Sequence, residues 1–524
     1  MGNENGEDKK TVLAVETFEE TSLPPEKAGT AGDRRDMYRM GKMQELRRNF
    51  SFVPIFGFAA VLMITWEGVF SAISYAVPNG GLPTMVWMYL VTFIGLGAAI
   101  VTMAEMASMA PTSGGQYHWV SEFAPRSSQK LLSYLVGWFC VLGWQAGIAG
   151  QCFTVALEIQ GLAILNNATY VPKPWHSVLI TFAVVLLCAV FNTLFARQLP
   201  KIEVVLLVLH ICGFFAILVP LWVFAPRHTS AEVWLDFKVI SGWQSVGAAA
   251  LIGQLGPLYA LLGPDSAVHM AEEVRDASRV LPWAMISTLL LNGITGFIMI
   301  VTFAYTLGSI EAAAAPKYNF AFIGTFYNAT QSHAGTSVMT CIILILTFCS
   351  AISNVATASR QMFAFARDGG LPFSGVWRYV KPGWDLPLNA IAFSCIFTSL
   401  LVLINLGSDT AFNAILSIGI VALLTSYLVS LGCLLLKRVR GEPFIYRRWS
   451  AGRKFGFLCN VVGLAYLIVA SVFAFFPIFI PVTTTNMNWA VAVYVGVASI
   501  AGVYYVAYAR NSYVPPVARL AKDL

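Results

Sequence analysis

Gly253-Gln254-Leu255-Gly256-Pro257-Leu258-Tyr259-Ala260-Leu261-Leu262-Gly263-Pro264-Asp265 sets two Gly-Pro pairs inside one apolar run of a 524-residue chain. Proline has no amide donor and its ring crowds the carbonyl four residues back, so each pair is expected to interrupt helical bonding. A second interruption lies at Ile64-Thr65-Trp66-Glu67-Gly68-Val69-Phe70, where a carboxylate and a glycine sit near the middle of another apolar run. Broken backbone at that depth is tolerated only where protein buries it or a cavity is lined by it. The breaks fall in the first and sixth apolar runs. Such matching positions predict two repeated five-helix halves with a binding site between them. Any one of these glycines or prolines alone is explained as readily by a kink or by close helix packing.

Twelve apolar runs, at about 53–77, 83–109, 131–165, 176–196, 202–224, 245–270, 283–307, 336–363, 388–406, 411–436, 455–480 and 488–509, are each long enough to cross ~30 Å of hydrocarbon. The composition agrees: 57% of residues are hydrophobic and 11% charged, whereas soluble domains carry about a quarter charged residues. The expected fold is an all-α polytopic membrane protein with 12 transmembrane helices. Ten spans form a core over 51–436, with halves at about 51–224 and 245–436. A basic loop (437–454), spans eleven and twelve (455–509) and a C-terminal segment (510–524) follow.

Residues 1–50 carry 19 charges, nine basic and ten acidic, which predicts a disordered tail. No apolar stretch follows Met1, so no cleaved signal peptide is expected. The Met-Gly-Asn start has Gly6 where myristoylation needs Ser or Thr. If both termini are cytosolic, 29 of the 33 Lys and Arg residues fall on the cytosolic side. Only Lys173, Arg227, Lys238 and Lys317 fall outside, as the positive-inside rule requires. The sequons at Asn167 and Asn328 lie in loops that this orientation puts outside, where N-glycosylation takes place. The nine cysteines, Cys140, Cys152, Cys188 and Cys349 among them, lie in apolar runs and read as small buried hydrophobes. Their spacing suggests neither a metal site nor a disulfide framework.

A break leaves free N–H groups at one half-helix end and free carbonyls at the other. The first suits a carboxylate and the second an ammonium, so the site fits zwitterions or organic cations. Trp66, Tyr259 and Phe70 offer π faces to an alkylammonium head, or they simply pack against neighbouring helices or lipid. Ionisable groups within spans are expensive, and so they are candidates for function. Glu67 is a candidate for binding an ammonium, for carrying a coupling proton, or for tying the broken helix. His210, mid-span in the fifth run, is either a proton carrier or a satisfied neutral imidazole. Asp265 either caps the inner half-helix or takes part in coupling. Glu105 and Glu203 lie near the cytosolic ends of their spans, where hydrated salt bridges are expected. Glu158 lies deep in the third run or near its outer end.

Ala104-Glu105-Met106-Ala107-Ser108-Met109-Ala110-Pro111-Thr112-Ser113-Gly114-Gly115-Gln116-Tyr117-His118-Trp119 resembles the second-span exit of fungal permeases in the amino acid–polyamine–organocation superfamily. Ala271-Glu272-Glu273-Val274 with Arg279-Val280-Leu281-Pro282 resembles the stretch after that superfamily's sixth span. Ser359-Arg360-Gln361-Met362-Phe363-Ala364-Phe365-Ala366-Arg367-Asp368-Gly369-Gly370-Leu371-Pro372 is similar to its eighth-span exit. The branch most resembled is the fungal amino acid/choline transporters, which include GABA and choline permeases.

The resemblance implies a leucine-transporter-type 5+5 inverted repeat with two further helices, and alternating access driven by the proton gradient without a bound cofactor or metal. It implies a substrate site at Thr65, Trp66, Glu67 and Gly68 with Tyr259, Ala260, Leu261 and Gly263. His210 stands roughly where many relatives carry a lysine. The Gly-x-Gly form common in the first-span break is reduced here to Gly68 after Trp66-Glu67, which makes the pocket bulkier and more acidic. The expected function is uptake of a small amine-bearing solute (an amino acid, GABA or a choline-like cation) by a plasma-membrane protein that binds lipid and no nucleic acid. A membrane enzyme would need clustered His, Asp or Cys, and the six histidines are scattered. A non-transporting nutrient sensor, or a carrier of a specialised metabolite or its amine precursor, are the alternatives. Lys9, Lys10, Lys27 and Lys42 are candidate sites for ubiquitin-dependent turnover.

Overall fold

The computed structural model describes residues 23–71, 73–310, 313 and 316–519, the side chains of Ser71 and 409–416 apart. Among the described residues, eleven helices are long and apolar enough to cross a membrane. They are Phe52–Phe70, Gly81–Met109, Gln129–Asn166, Pro174–Thr193, Ala196–Phe224, Ala277–Thr306, His333–Arg367, Leu388–Leu406, Ser417–Val439, Arg453–Phe473 and Ala490–Arg519. The shorter pieces Val246–Gly253 and Leu255–Leu261 make the sixth span, so all twelve apolar runs are accounted for. The fifth span illustrates the pattern: Glu203, Leu207, His210, Phe214 and Ile217 form a buried stripe, while Val205, Val208, Phe215 and Val219 are exposed. That inverts a soluble helix, because the surroundings of the bundle are hydrocarbon.

The two Gly-Pro pairs of the sixth span behave differently. Gly256-Pro257 lies in the first turn of the helix Leu255–Leu261, and Gln254, which joins this helix to Val246–Gly253, stays helical at φ −60° and ψ −16°. The break is at the second pair, where Leu262 is extended and Gly263 takes φ +117°. A single left-handed glycine followed by proline ends a helix; a proline within its first turn removes an amide that had no helical partner.

The basic loops gather at one end of the bundle, called here the basic face. Asn167 and Asn328 are both exposed, at the far ends of spans that begin or finish on that face. Among the nine free cysteines, Cys212 is exposed and Cys341 half-buried; the other seven are buried as expected.

Residues 23–50 are not a disordered tail; they fold across the basic face, and residues 1–22 lie outside the described residues. Thr30 and Asp33 form a capping box for the helix Ala31–Arg39. The Asp33 carboxylate also accepts from the amides of Asp276 (2.9 Å) and Ala277 (3.0 Å), capping the seventh span as well. The Phe50 amide donates to Glu273 O at 2.9 Å, and the Arg275 amide returns to Phe50 O at 2.9 Å. Met37, Met40 and Leu46 are buried beneath. A charge count treats these residues as solvated, but their charges meet opposite charges and backbone ends on the basic loops. Lys42 Nζ donates to Thr112 Oγ1 at 3.0 Å and lies 3.9 Å from Asp368. Burial pushes its ammonium down to about 8, with Asp368 countering part of the effect. Lys27 pairs with Asp385 at 2.8 Å. Lys42 is therefore enclosed and Lys27 is engaged, which removes Lys42 as an accessible turnover site in this conformation; Lys9 and Lys10 fall outside the described residues.

Candidate functional site

The two breaks meet. Phe52–Met63 ends at Ile64, which adopts the left-handed φ +40° and ψ +47°. A Cβ on Gly263 would lie 3.0 Å from Leu62 Cδ2, and one on Gly68 would lie 3.6 Å from the Ala260 Cβ. Gly68 thus faces Ala260 across the two half-helices at ordinary contact distance. Side chains from other spans reach two carbonyls near the first break. Ser350 Oγ donates to Leu62 O at 2.7 Å, and Asn292 Nδ2 donates to Ala60 O at 2.9 Å. Ala60 O also accepts the Ile64 amide at 3.3 Å, so Asn292 adds a second bond there, while Ser350 partners Leu62 O at a depth where unpaired backbone costs several kcal/mol per group.

A cavity of about 660 Å³ extends from the breaks to Asn486, Asn488 and Trp489 in the loop between the last two spans, on the side away from the basic face. Leu62, Met63 and Ile64 line it from the first break, and Tyr259, Leu262 and Gly263 from the sixth span. Trp144, Gly147, Gln151 and Thr154 of the third span and Asn354 of the eighth complete its polar and aromatic walls. Among the described residues, no Asp, Glu, Lys, Arg or His lines it. Tyr259 Oη donates to Gln151 Oε1 at 3.3 Å, and Gln151 Nε2 is a buried donor with no partner.

Of the eight residues expected at the substrate site, Tyr259 and Gly263 face this cavity; Thr65, Trp66, Glu67, Gly68, Ala260 and Leu261 do not line it. Trp66 packs on Phe214 and His210, and Phe70 packs among Phe303, Phe322 and Phe326. Both rings are fully buried, so neither is free to receive a cation here.

Behind the first break, Glu67 Oε1 lies 2.8 Å from His210 Nδ1, and His210 Nε2 lies 3.0 Å from Asn292 Oδ1. All three side chains are buried. Because Asn292 Nδ2 donates to Ala60 O, its Oδ1 is the acceptor left for the ring, which places a proton on His210 Nε2. The Nδ1–Glu67 contact then holds one further proton, on the ring or on the carboxyl, since a bare lone pair facing a carboxylate would be repulsive. Sequence singled out both residues, and the fold brings them into one buried hydrogen-bonded pair.

Asp265 belongs elsewhere. It accepts from Gln116 Nε2 at 2.6 Å and from Tyr427 Oη, and lies 3.8 Å from His269 Nε2. It stands at the N-cap position of Ser266–His269 but makes no capping bond. The cap expectation fails because Gln116 and Tyr427 draw its carboxylate away. His269 receives Trp144 Nε1 at 3.0 Å and contacts Ser113 O at 2.9 Å, so this cluster touches the cavity only through the Trp144 ring.

Glu105 does pair with basic residues, Arg438 and Arg447, but fully buried rather than hydrated. Glu158 accepts from Thr347 Oγ1 at 3.2 Å, and its other oxygen is buried without a partner. Gln151, Trp144, Asn354 and Asn292 escaped notice from sequence. The signal available was Gly143, Gly147 and Gly150, a small-residue stripe on the third span that marks close helix approach or a void.

The pattern described as Amino acid permease matches residues 50–498. The chain belongs to the amino acid permease family. This permease is 30% identical over 468 residues to the choline transporter of Saccharomyces cerevisiae, covering 88% of this chain and 81% of that one. It is 26% identical over 501 residues to amino-acid permease 2 of Neurospora crassa, covering 95% of this chain and 91% of the relative. An amino-acid permease of Arabidopsis thaliana is 26% identical over 497 residues, with 92% and 95% covered. The permease is therefore a multi-pass membrane transporter and not an enzyme.

Proposed function

We propose that this permease takes up a small amine-bearing solute, an amino acid or an organic cation, by alternating access coupled to a proton. The observation that carries the reading is the division of labour at the first break: an uncharged cavity on one side and the Glu67–His210 pair on the other. A zwitterion or cation would rest against half-helix ends and the faces of Trp144 and Tyr259. Its charge then acts on the Glu67–His210 pair through the first-span half-helix rather than by contact. A binding site and a proton site sharing one broken helix supply the differential contacts that coupling requires. The names of the relatives, a choline transporter and amino-acid permeases, support the same solute chemistry. The basic face is assigned to the cytosol by the positive-inside rule, with both termini there, Asn167 and Asn328 available for glycosylation outside, and the plasma membrane as the destination.

The test is uptake of labelled choline, GABA, putrescine and an amino-acid panel in yeast lacking its own amine permeases, at about pH 5 and about pH 7.5, a range that brackets histidine titration. Saturable uptake that is stronger at acid pH and collapses with a protonophore is the expected result. Uptake that ignores both pH and protonophore removes the proton from the reading. No uptake of any panel member, with the protein at the cell surface, removes nutrient import.

A further inference from the structure

Glu203 lies on the fifth span seven residues before His210, two turns or about 10 Å along the axis, on the same buried stripe. Its place near the basic face suggested a hydrated salt bridge, and the structure offers none among the described residues. Glu203 is fully buried. Ser353 Oγ of the eighth span donates to Oε1 at 3.0 Å, and Oε2 is buried without any partner. The facing helix Phe52–Met63 carries no ionisable residue, and its Gly57 packs so closely that a Cβ would lie 2.7 Å from Glu203 O.

The other groups around it do not neutralise it. From the eighth span the nearest titratable group is the Cys349 thiol, set in an apolar cluster with Val61 and Leu206. Arg360, two turns beyond Ser353, is committed to Glu273 at 2.7 Å. On its own helix Lys201 is exposed, and His210 is held by Glu67 and Asn292. An ionised carboxylate with one hydroxyl donor and no cation is costly at such a place, and the acid form is the cheaper of the two.

We infer that Glu203 is a second proton site of this permease, the one from which the transported proton leaves towards the cytosol. The inference rests on the proton-coupled reading above. Ser353 stands one turn from Ser350, which clamps Leu62 O at the broken end of the first span. The same eighth-span face therefore holds both the movable half-helix and the Glu203 carboxyl. When Phe52–Met63 swings away from Glu203, Oε2 meets cytosolic water and the acid O–H bond breaks. The proton passes to water, and the carboxylate keeps its Ser353 hydrogen bond. Return of the half-helix requires a proton back on Glu203, and in the swung state it comes from the Glu67–His210 pair, which is reloaded from the opposite side, so each cycle carries a proton across. Leu206 and Leu207 separate Glu203 from His210 in the present conformation, which keeps the two proton sites from short-circuiting.

The test reconstitutes the full-length permease in vesicles and follows labelled choline and a labelled amino-acid mixture, with a pH dye inside. Wild type is expected to accumulate solute under an inward proton gradient. Glu203→Gln is expected to lose accumulation and solute-dependent internal acidification while retaining exchange of solute at equal concentrations. Glu203→Asp, still ionisable, is expected to accumulate. Accumulation by Glu203→Gln equal to wild type overturns the inference and leaves the proton-coupled reading standing. Wild-type accumulation driven by a sodium gradient, or by neither gradient, overturns that reading and the Glu203 site with it. Should the Gln protein not reach the membrane, Ser353→Ala decides: a shift of about half a unit or more in the internal-pH dependence of accumulation supports the site, and an unchanged profile overturns it.

Discussion

Glu67 Oε1 and His210 Nδ1 stand 2.8 Å apart, on the first and fifth spans, with Asn292 of the seventh fixing the far ring nitrogen. One proton shared by two buried groups behaves as a unit, so removing either member should have nearly the effect of removing both. Glu67→Gln and His210→Gln are each expected to lose proton-driven accumulation while reaching the surface, with the double variant no worse than the singles. Uptake in the three variants, read as a double-mutant cycle, should give a coupling of about 0.5–3 kcal/mol. Independent, additive losses would separate the two residues.

The cavity makes a separate prediction. Gly147 lines it, and the first atom an added Cβ would meet is Asn354 Oδ1 at 3.4 Å, an ordinary contact. Gly147→Ala should be tolerated, whereas Gly147→Leu should fill the space and raise KM or abolish uptake without lowering surface expression. Full transport by the leucine variant would mean that solute travels by another route.

Gly263 is strained for any other residue, at φ +117° and with Leu62 Cδ2 only 3.0 Å from where a Cβ would stand. Gly263→Ala is expected to cost about 1–3 kcal/mol through backbone strain alone, read as a lower thermal midpoint of the purified permease together with reduced uptake. Gly256, inside a helix, does not take a positive φ, and Gly256→Ala should be milder in the same assay.

On the basic face, Arg367 grips Glu272 with two bonds of 2.8 and 2.6 Å. Burial opposes the Glu272 charge, but the guanidinium outweighs it and holds the carboxyl at about 2, against an ordinary 4.5. A carboxyl depressed on folding contributes stability above its unfolded value and loses it as pH falls through the folded one. Glu272→Gln should therefore cost about 3–5 kcal/mol near neutral pH by leaving the buried Arg367 with only its 4.0 Å contact to Glu45. The gap to wild type should narrow between pH 4.5 and about 2 in thermal melts. A gap independent of pH would show that the pair is not ionised.

Amino-acid order alone determined the number of spans, the side on which the basic loops gather and the spans that break. Each follows from local physics: hydrocarbon thickness, the cost of charge in lipid, and the missing amide of proline. Glu67 and His210 were legible for the same reason, as expensive groups within apolar runs. Their partnership was not, because 143 residues separate them and only the packing of the first, fifth and seventh spans brings them together. Tertiary structure also decided that Trp66 and Phe70 pack inward, that Asp265 joins Gln116 and Tyr427, and that Lys42 is enclosed. Each outcome depends on which distant side chain reaches the group first. Glu203 makes the contrast sharpest: its position on the chain suggested water and a counter-ion, and the packing of the helices buries its carboxyl against Ser353 with no cation beside it among the described residues.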